Sequence, residues 1–229
     1  MRAWPLAVLV AALVGCGGSS SGPPGAAGAP GAAGASGSSG AGGVGGGGAV
    51  GACQPEADGG ETMVFDGGAC PVAIEQHPDE GAQHQLTCLP PLTYCTRPPS
   101  SGNHYPIWAD FKTYTTPVPW GHLVHALEHG AVVIVYNCPD GCPDEIAAAQ
   151  ALIDAFPADP LCASPPGHRL ILAPDPTLDV RWAASAWTWT IRAPCFDPVA
   201  FGAFMNAHYG RGREDLCGEL SQPFCDVSP

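Results

Sequence analysis

Apolar and polar positions between residues 119 and 208 follow two periods, and glycine or proline marks most of the switches between them. Pro119 to His129 reads as a helix, with proline in its first turn and Gly130 as the C-terminal stop. Ala131 to Tyr136 is an unbroken apolar run rich in β-branched residues, which predicts a buried strand. Asp144 to Phe156 has helical spacing, and Arg169 to Ala173 forms a short apolar strand. Ala184 to Arg192 alternates, with Ala186, Thr188 and Thr190 on one face and Trp187, Trp189 and Ile191 on the other. That pattern predicts a single strand, its two tryptophans serving as core. Asp197 to His208 reads as a last helix, capped by Asp197 with Pro198 at its first position.

The order helix–strand–helix–strand–strand–helix predicts an α/β or α+β fold, a single compact sandwich domain. The strand–helix–strand step over 131–173 fits a right-handed parallel crossover. Upstream, to about residue 100, the chain is rich in Pro and Gly and reads as loops and short strands.

The first 52 residues have a different character. Arg2 precedes an apolar stretch from Trp4 to Val14, too short to span a bilayer and of the right length for a signal peptide over residues 1–15. The stretch ends Leu13-Val14-Gly15-Cys16, which resembles a bacterial lipobox. Cys16 is then the lipidation site, and its acyl chains make the membrane a partner of the chain. No Asp follows Cys16, so the expected place is the bacterial envelope, lipid-anchored at the outer membrane and facing the periplasm or the cell surface. Residues 17–51 contain only Gly, Ala, Ser, Pro and Val. They have almost nothing to bury, so residues 16–52 read as a lipidated cysteine plus a disordered tether. Glycines recur every third residue from Gly22 to Gly40, but six triplets with three prolines fit a spacer better than a collagen stub. The globular domain is expected over 53–229.

Composition narrows the partners. The 229-residue chain has 8 basic and 21 acidic residues, a formal net charge of −13, and no Lys/Arg run. Nucleic acid is therefore excluded as a partner on electrostatic grounds, and no protein partner is indicated. Removing Cys16 from the 11 cysteines leaves ten, an even number that in an exported chain reads as disulfides. The short loops Cys88–Cys95 and Cys138–Cys142 are the expected local bridges. The latter spacing also suits zinc, but an oxidising compartment favours the disulfide.

The helix at 120–129 carries the candidate chemistry. At 100° per residue, with His122 at the origin, His125 falls near about 300° and His129 near about 340°. Three imidazoles share one narrow arc, and Trp120, Leu123, Val124 and Leu127 lie opposite. His125 and His129, one turn apart, have the spacing of a metal-ligand pair. A solvated helix face, or a core histidine bonded to backbone, are the bland alternatives. His125-Ala-Leu-Glu128-His129 also matches the inverted zincin pattern, where the Glu is a general base. Gly130 ends the helix at once, unlike that class, and Glu214 or Glu219 would be the downstream third ligand. His104 closes a stiff Pro-rich loop, Arg97 to Tyr105, in which Gly102 permits a tight turn. His208 reads as a helix cap, and His77, His84 and His168 as ordinary loop residues.

The segment Pro-Pro-Ser-Ser-Gly-Asn-His-Tyr-Pro, then Trp108, then Leu-Val-His-Ala-Leu-Glu-His-Gly-Ala-Val-Val-Ile-Val-Tyr-Asn-Cys resembles the bacterial DUF3105 family. The resemblance is strongest from Arg97 to Cys142. His104 matches the loop histidine, and His125, Glu128, His129 and Gly130 match the helix motif; His122 lies outside it. The family has no known activity, so the resemblance implies a shared site and no reaction. The expected site is a metal centre of His104, His125 and His129, with Glu128 as fourth ligand, second-sphere partner or catalytic base. Imidazole suits copper or zinc. The expected role is metal handling or metal-dependent chemistry. The alternatives are a metal-free binding module, a metal-free enzyme using Glu128 and a histidine, and a hydrolase of the His-x-x-Glu-His type; the sequence leaves open whether this is an enzyme.

Overall fold

The computed structural model describes residues 62–88, 91–163 and 167–218. The signal peptide, Cys16, the tether, Cys53, Glu219 and Cys225 lie outside the described residues. Six strands and three helices follow in the order β1 (Thr62–Met63), β2 (Val72–Gln76), α1 (Trp120–Glu128), β3 (Val132–Tyr136), α2 (Pro143–Asp154), β4 (Leu170–Pro174), β5 (Trp182–Ala186), β6 (Trp189–Ala193) and α3 (Pro198–His208). The strands form one sheet in the order β1-β2-β6-β5-β3-β4. Only β3 and β4 run parallel, joined through α2 as the sequence pattern predicts. The other pairings between these strands, among the described residues, are antiparallel.

Both faces of the sheet are covered, which explains why β3 and β4 are apolar without alternation. Val132, Ile134, Leu170, Leu172, Trp182 and Ala184 point to one core, closed by Ala149 and Ile153 of α2 and by Phe201, Phe204 and Met205 of α3. Val133, Val135, Ile171, Ala173 and Ala183 point to the other, closed by Leu123, Val124 and Leu127 of α1 and by Phe111 and Tyr114. The mixed α/β fold is thus three layers deep. Each fully buried Leu, Ile or Phe contributes roughly 1.5–3 kcal/mol to that arrangement.

One predicted element divides in two. Ala184 to Arg192 belongs to a hairpin, with Ala186 facing Trp189 across the two-residue turn Trp187–Thr188. Thr188 takes φ +62° there. Such turns normally use Gly, Asn or Asp, so the sequence carries no turn signal at this point. Docking supplies what the turn residues do not: Thr188 N–H donates to Ser100 O, and its own carbonyl accepts from His77 N–H, both at 2.8 Å. The turn also places Trp187 and Trp189 in opposite cores rather than on one face.

Of the two local bridges expected, only Cys138–Cys142 is seen among the described residues. Cys70–Cys195 and Cys162–Cys217 close loops of 125 and 55 residues. Cys88 and Cys95 are each disulfide-bonded as well. These bridges belong to an oxidising, extracytoplasmic compartment. No helix among the described residues is long and apolar enough to cross a membrane.

Asp197 joins the first strand region to the last helix. Its side chain caps α3 through Val199 and Ala200 N–H at 3.0 and 3.1 Å, and also accepts from Ala69 N–H at 2.7 Å and Cys70 N–H at 3.4 Å. Burial alone would push the carboxyl pKa up, but the converging N–H groups hold it below the ordinary aspartate value. Replacing Asp197 with Ala is expected to lower the unfolding free energy at pH 7 by about 2–3 kcal/mol. Because the folded pKa is depressed, that contribution is complete above the ordinary aspartate pKa and is lost as pH falls through the folded value. Denaturant unfolding from pH 7 to 3 should show the gap to wild type closing in acid; a constant gap would contradict the assignment.

Candidate metal centre

Helix α1 is buried along its length, from Gly121 to Glu128. A solvated histidine face is therefore excluded. One side packs Leu123, Val124 and Leu127 on the sheet. The histidine side meets the Pro-rich loop, which docks through Tyr105 N–H to Gly121 O and Ala109 N–H to His122 O, both at 3.1 Å. Gly130, at φ +83°, ends the helix as predicted.

The buried imidazoles need partners on this side, and the loop backbone supplies them. His125 Nδ1 donates to Tyr105 O at 2.6 Å, His122 Nδ1 to Ile107 O at 2.6 Å, and His104 Nδ1 to Gly102 O at 2.9 Å. A carbonyl only accepts, so each Nδ1 carries the proton and each Nε2 of the neutral ring is a lone pair. Burial, reinforced by the neighbouring imidazoles, pushes the His104 pKa down to about 4 and that of His125 to about 3. Both rings are neutral at pH 7. Backbone-bonded Nδ1 with a free Nε2 is the orientation that metal-ligating histidines adopt.

The Nε2 atom of His104 lies 3.0 Å from Glu128 Oε2, and His84 Nε2 lies 3.9 Å from the same oxygen. Ligand atoms of His84, His104, His125 and Glu128 all lie within 4.8 Å of one another. His104 Nε2 is buried and has no hydrogen-bond partner among the described residues, so its contact with Glu128 is not a hydrogen bond. Two ligands on one tetrahedral zinc, at about 2.0–2.1 Å from it, stand roughly 3.3 Å apart. The 3.0 Å separation of His104 Nε2 and Glu128 Oε2 is near that spacing.

The structure brings three of the four expected residues together: His104, His125 and Glu128. It adds His84, read from sequence as an ordinary loop residue. His84 reaches the site through a parallel bridge to His104, with Gln85 N–H donating to His104 O at 2.7 Å. No local pattern announces such a pairing, because its partner is twenty residues away. The fourth expected residue, His129, converges instead with Glu128 and Glu214. Its ring remains 4.8 Å from that of His125, and Trp108 lies against both, 5.2 Å from His125 and 4.4 Å from His129. His122 turns to Ile107 and Tyr105 instead. His208 stacks on Trp189 and Phe204, where it packs rather than caps. His77 meets Thr190 Oγ1 at 2.8 Å, and His168 lies near Phe156.

Residues 87–219 match the family model described as protein of unknown function (DUF3105). His84 lies upstream of the matched segment. No curated protein and no solved structure matches the chain.

Glu128 is a buried carboxylate, and burial is the main reason its pKa is raised. Arg213 favours the ionised form and Glu214 and Asp79 oppose it, and with burial the balance is against the charge, so an ionised carboxylate here opposes folding. Glu128→Gln is therefore expected to stabilise the metal-free protein at pH 7 by about 1 kcal/mol. Thermal melts in chelator would read this; a variant less stable than wild type would show that the carboxylate has a structural role.

Proposed function

The chain belongs to the DUF3105 family, whose description assigns no activity, and we propose from its site that it binds a divalent transition-metal ion. The ligands are His84, His104, His125 and Glu128, and the ion is copper or zinc. A set of neutral imidazoles with one carboxylate suits both ions. The observation that carries this reading is the arrangement of His104 and His125: each Nδ1 is held by a backbone carbonyl, and both residues belong to the same tight group of ligand atoms as Glu128. A metal-free acid–base pair of Glu128 and His104 would need a direct hydrogen bond, and their contact is not one.

The role is metal handling outside the cytoplasm. His84 is 47% exposed in its side chain, whereas His104 is fully buried and Glu128 nearly so. One ligand at the solvent boundary lets an ion enter or leave while the buried ligands keep their positions. The proposed lipid at Cys16 and the tether that follows hold this site near the outer membrane. The six-triplet spacer needs no fold for that purpose.

Full-length chain, purified from membranes in mild detergent without a histidine tag, should contain or take up zinc or copper. His104→Ala and His125→Ala should each weaken binding about 100-fold or more. Loaded wild type should melt higher than chelated wild type, by an amount that grows with free metal. A chain that stays empty after incubation with both ions would overturn the proposal. Separately, Cys16→Ser should abolish incorporation of labelled palmitate; labelling of the variant at the wild-type level would refute the anchor.

A further inference from the structure

We infer that the centre is built for two ions, with Glu128 as the bridging carboxylate. This rests on the metal-binding reading above and adds a second site beside it. Glu128 belongs to two groups of converging ligand atoms: one with His84, His104 and His125, the other with His129 and Glu214. A carboxylate has two oxygens and can serve two metals at once. Paired-metal sites place their ions about 3.5–4 Å apart and commonly share such a ligand.

The second group has its own signs of construction. The His129 side chain is 3% exposed, and both its ring nitrogens are buried without a hydrogen-bond partner among the described residues. An imidazole with two unsatisfied nitrogens is costly to bury unless something coordinates it. Its Nδ1 lies 3.5 Å from Glu214 Oε2. The ion pairs of Glu128 run to His84 and His104, and that of Glu214 runs to His129. Each carboxylate thus faces imidazole nitrogens, the donor set that would hold a divalent ion.

Glu214 is brought there by a strap, residues 210–218, laid over the end of α1. Gly210 N–H donates to Gly130 O at 2.8 Å, and Glu214 N–H donates to Glu128 O at 2.9 Å. A Cβ at Gly212 would stand 2.1 Å from Glu128 O and 2.3 Å from Gly130 N, so only glycine allows this approach. Arg169 anchors the strap through Asp215 at 2.7 Å and the helix end through His129 O at 2.7 Å. The Cys162–Cys217 disulfide closes it, and Trp108 donates to Gly218 O. Five independent ties hold a segment whose one acidic side chain near the site, Glu214, faces His129.

The test is stoichiometry, with zinc and then copper as probes of the detergent-purified full chain. Wild type should bind two ions. Glu214→Gln and His129→Gln should each bind one, with the remaining affinity changed less than about threefold. Glu214 is half exposed, so its variant should fold as wild type does. In the copper-loaded wild type the two Cu²⁺ ions should couple, weakening the ordinary electron paramagnetic resonance signal. Glu214→Gln should restore a full one-copper signal. Saturation of wild type at one ion that His125→Ala removes would overturn the second site and keep the first. Two ions retained in Glu214→Gln would also overturn it. No ion in wild type would overturn both readings.

Discussion

The constraint on which the rest depends is the burial of a helix face made of histidine. Helix α1 cannot present its imidazoles to water, because the sheet covers one side and the Pro-rich loop covers the other. Buried imidazoles must find partners. The loop carbonyls of Tyr105 and Ile107 take the Nδ1 protons of His125 and His122, and Gly102 takes that of His104. This single pattern docks the loop, sets the tautomers and turns Nε2 of His104 toward Glu128. Fold and site are the same set of hydrogen bonds.

That economy leaves a local imbalance. Among the described residues nothing hydrogen-bonds His104 Nε2 or either ring nitrogen of His129. Glu128 adds a buried carboxylate beside the His104 ring, its pKa raised chiefly by burial. A core selected only for stability would replace these groups with apolar ones of similar volume. The surrounding structure keeps them in place with rigid devices: a docked loop, a glycine-dependent strap, an Arg169 that ties Asp159, Asp215 and His129 O, and a disulfide. Strain of this kind is tolerated where a ligand repairs it.

Much of the fold was legible from residue pattern. The three helices lie within two residues of their expected ends, because proline, glycine and Asp197 act locally on backbone geometry. β3 and β4 were legible because strands covered on both faces are apolar throughout. The β5–β6 hairpin was not legible. Its turn, Trp187–Thr188, is held by Ser100 and His77 from distant loops rather than by turn-forming residues. The upstream strand β2 pairs with β6 more than a hundred residues later, and that register leaves no mark in either segment alone.

The site divides along the same line. One turn of helix sets the spacing of His125, Glu128 and His129, so the sequence alone determined that these three share a neighbourhood. The stiff loop around Gly102 likewise made His104 conspicuous. Their assignment to ligand groups was decided by tertiary structure, since side chains one turn apart can still diverge by several ångströms. His84 entered through backbone pairing with His104, and Glu214 through a strap laid across the helix end. Local sequence governs dihedral angles and helical spacing, which are short-range. Convergence of ligand atoms from four separate segments depends on packing between them, and only the folded chain specifies that.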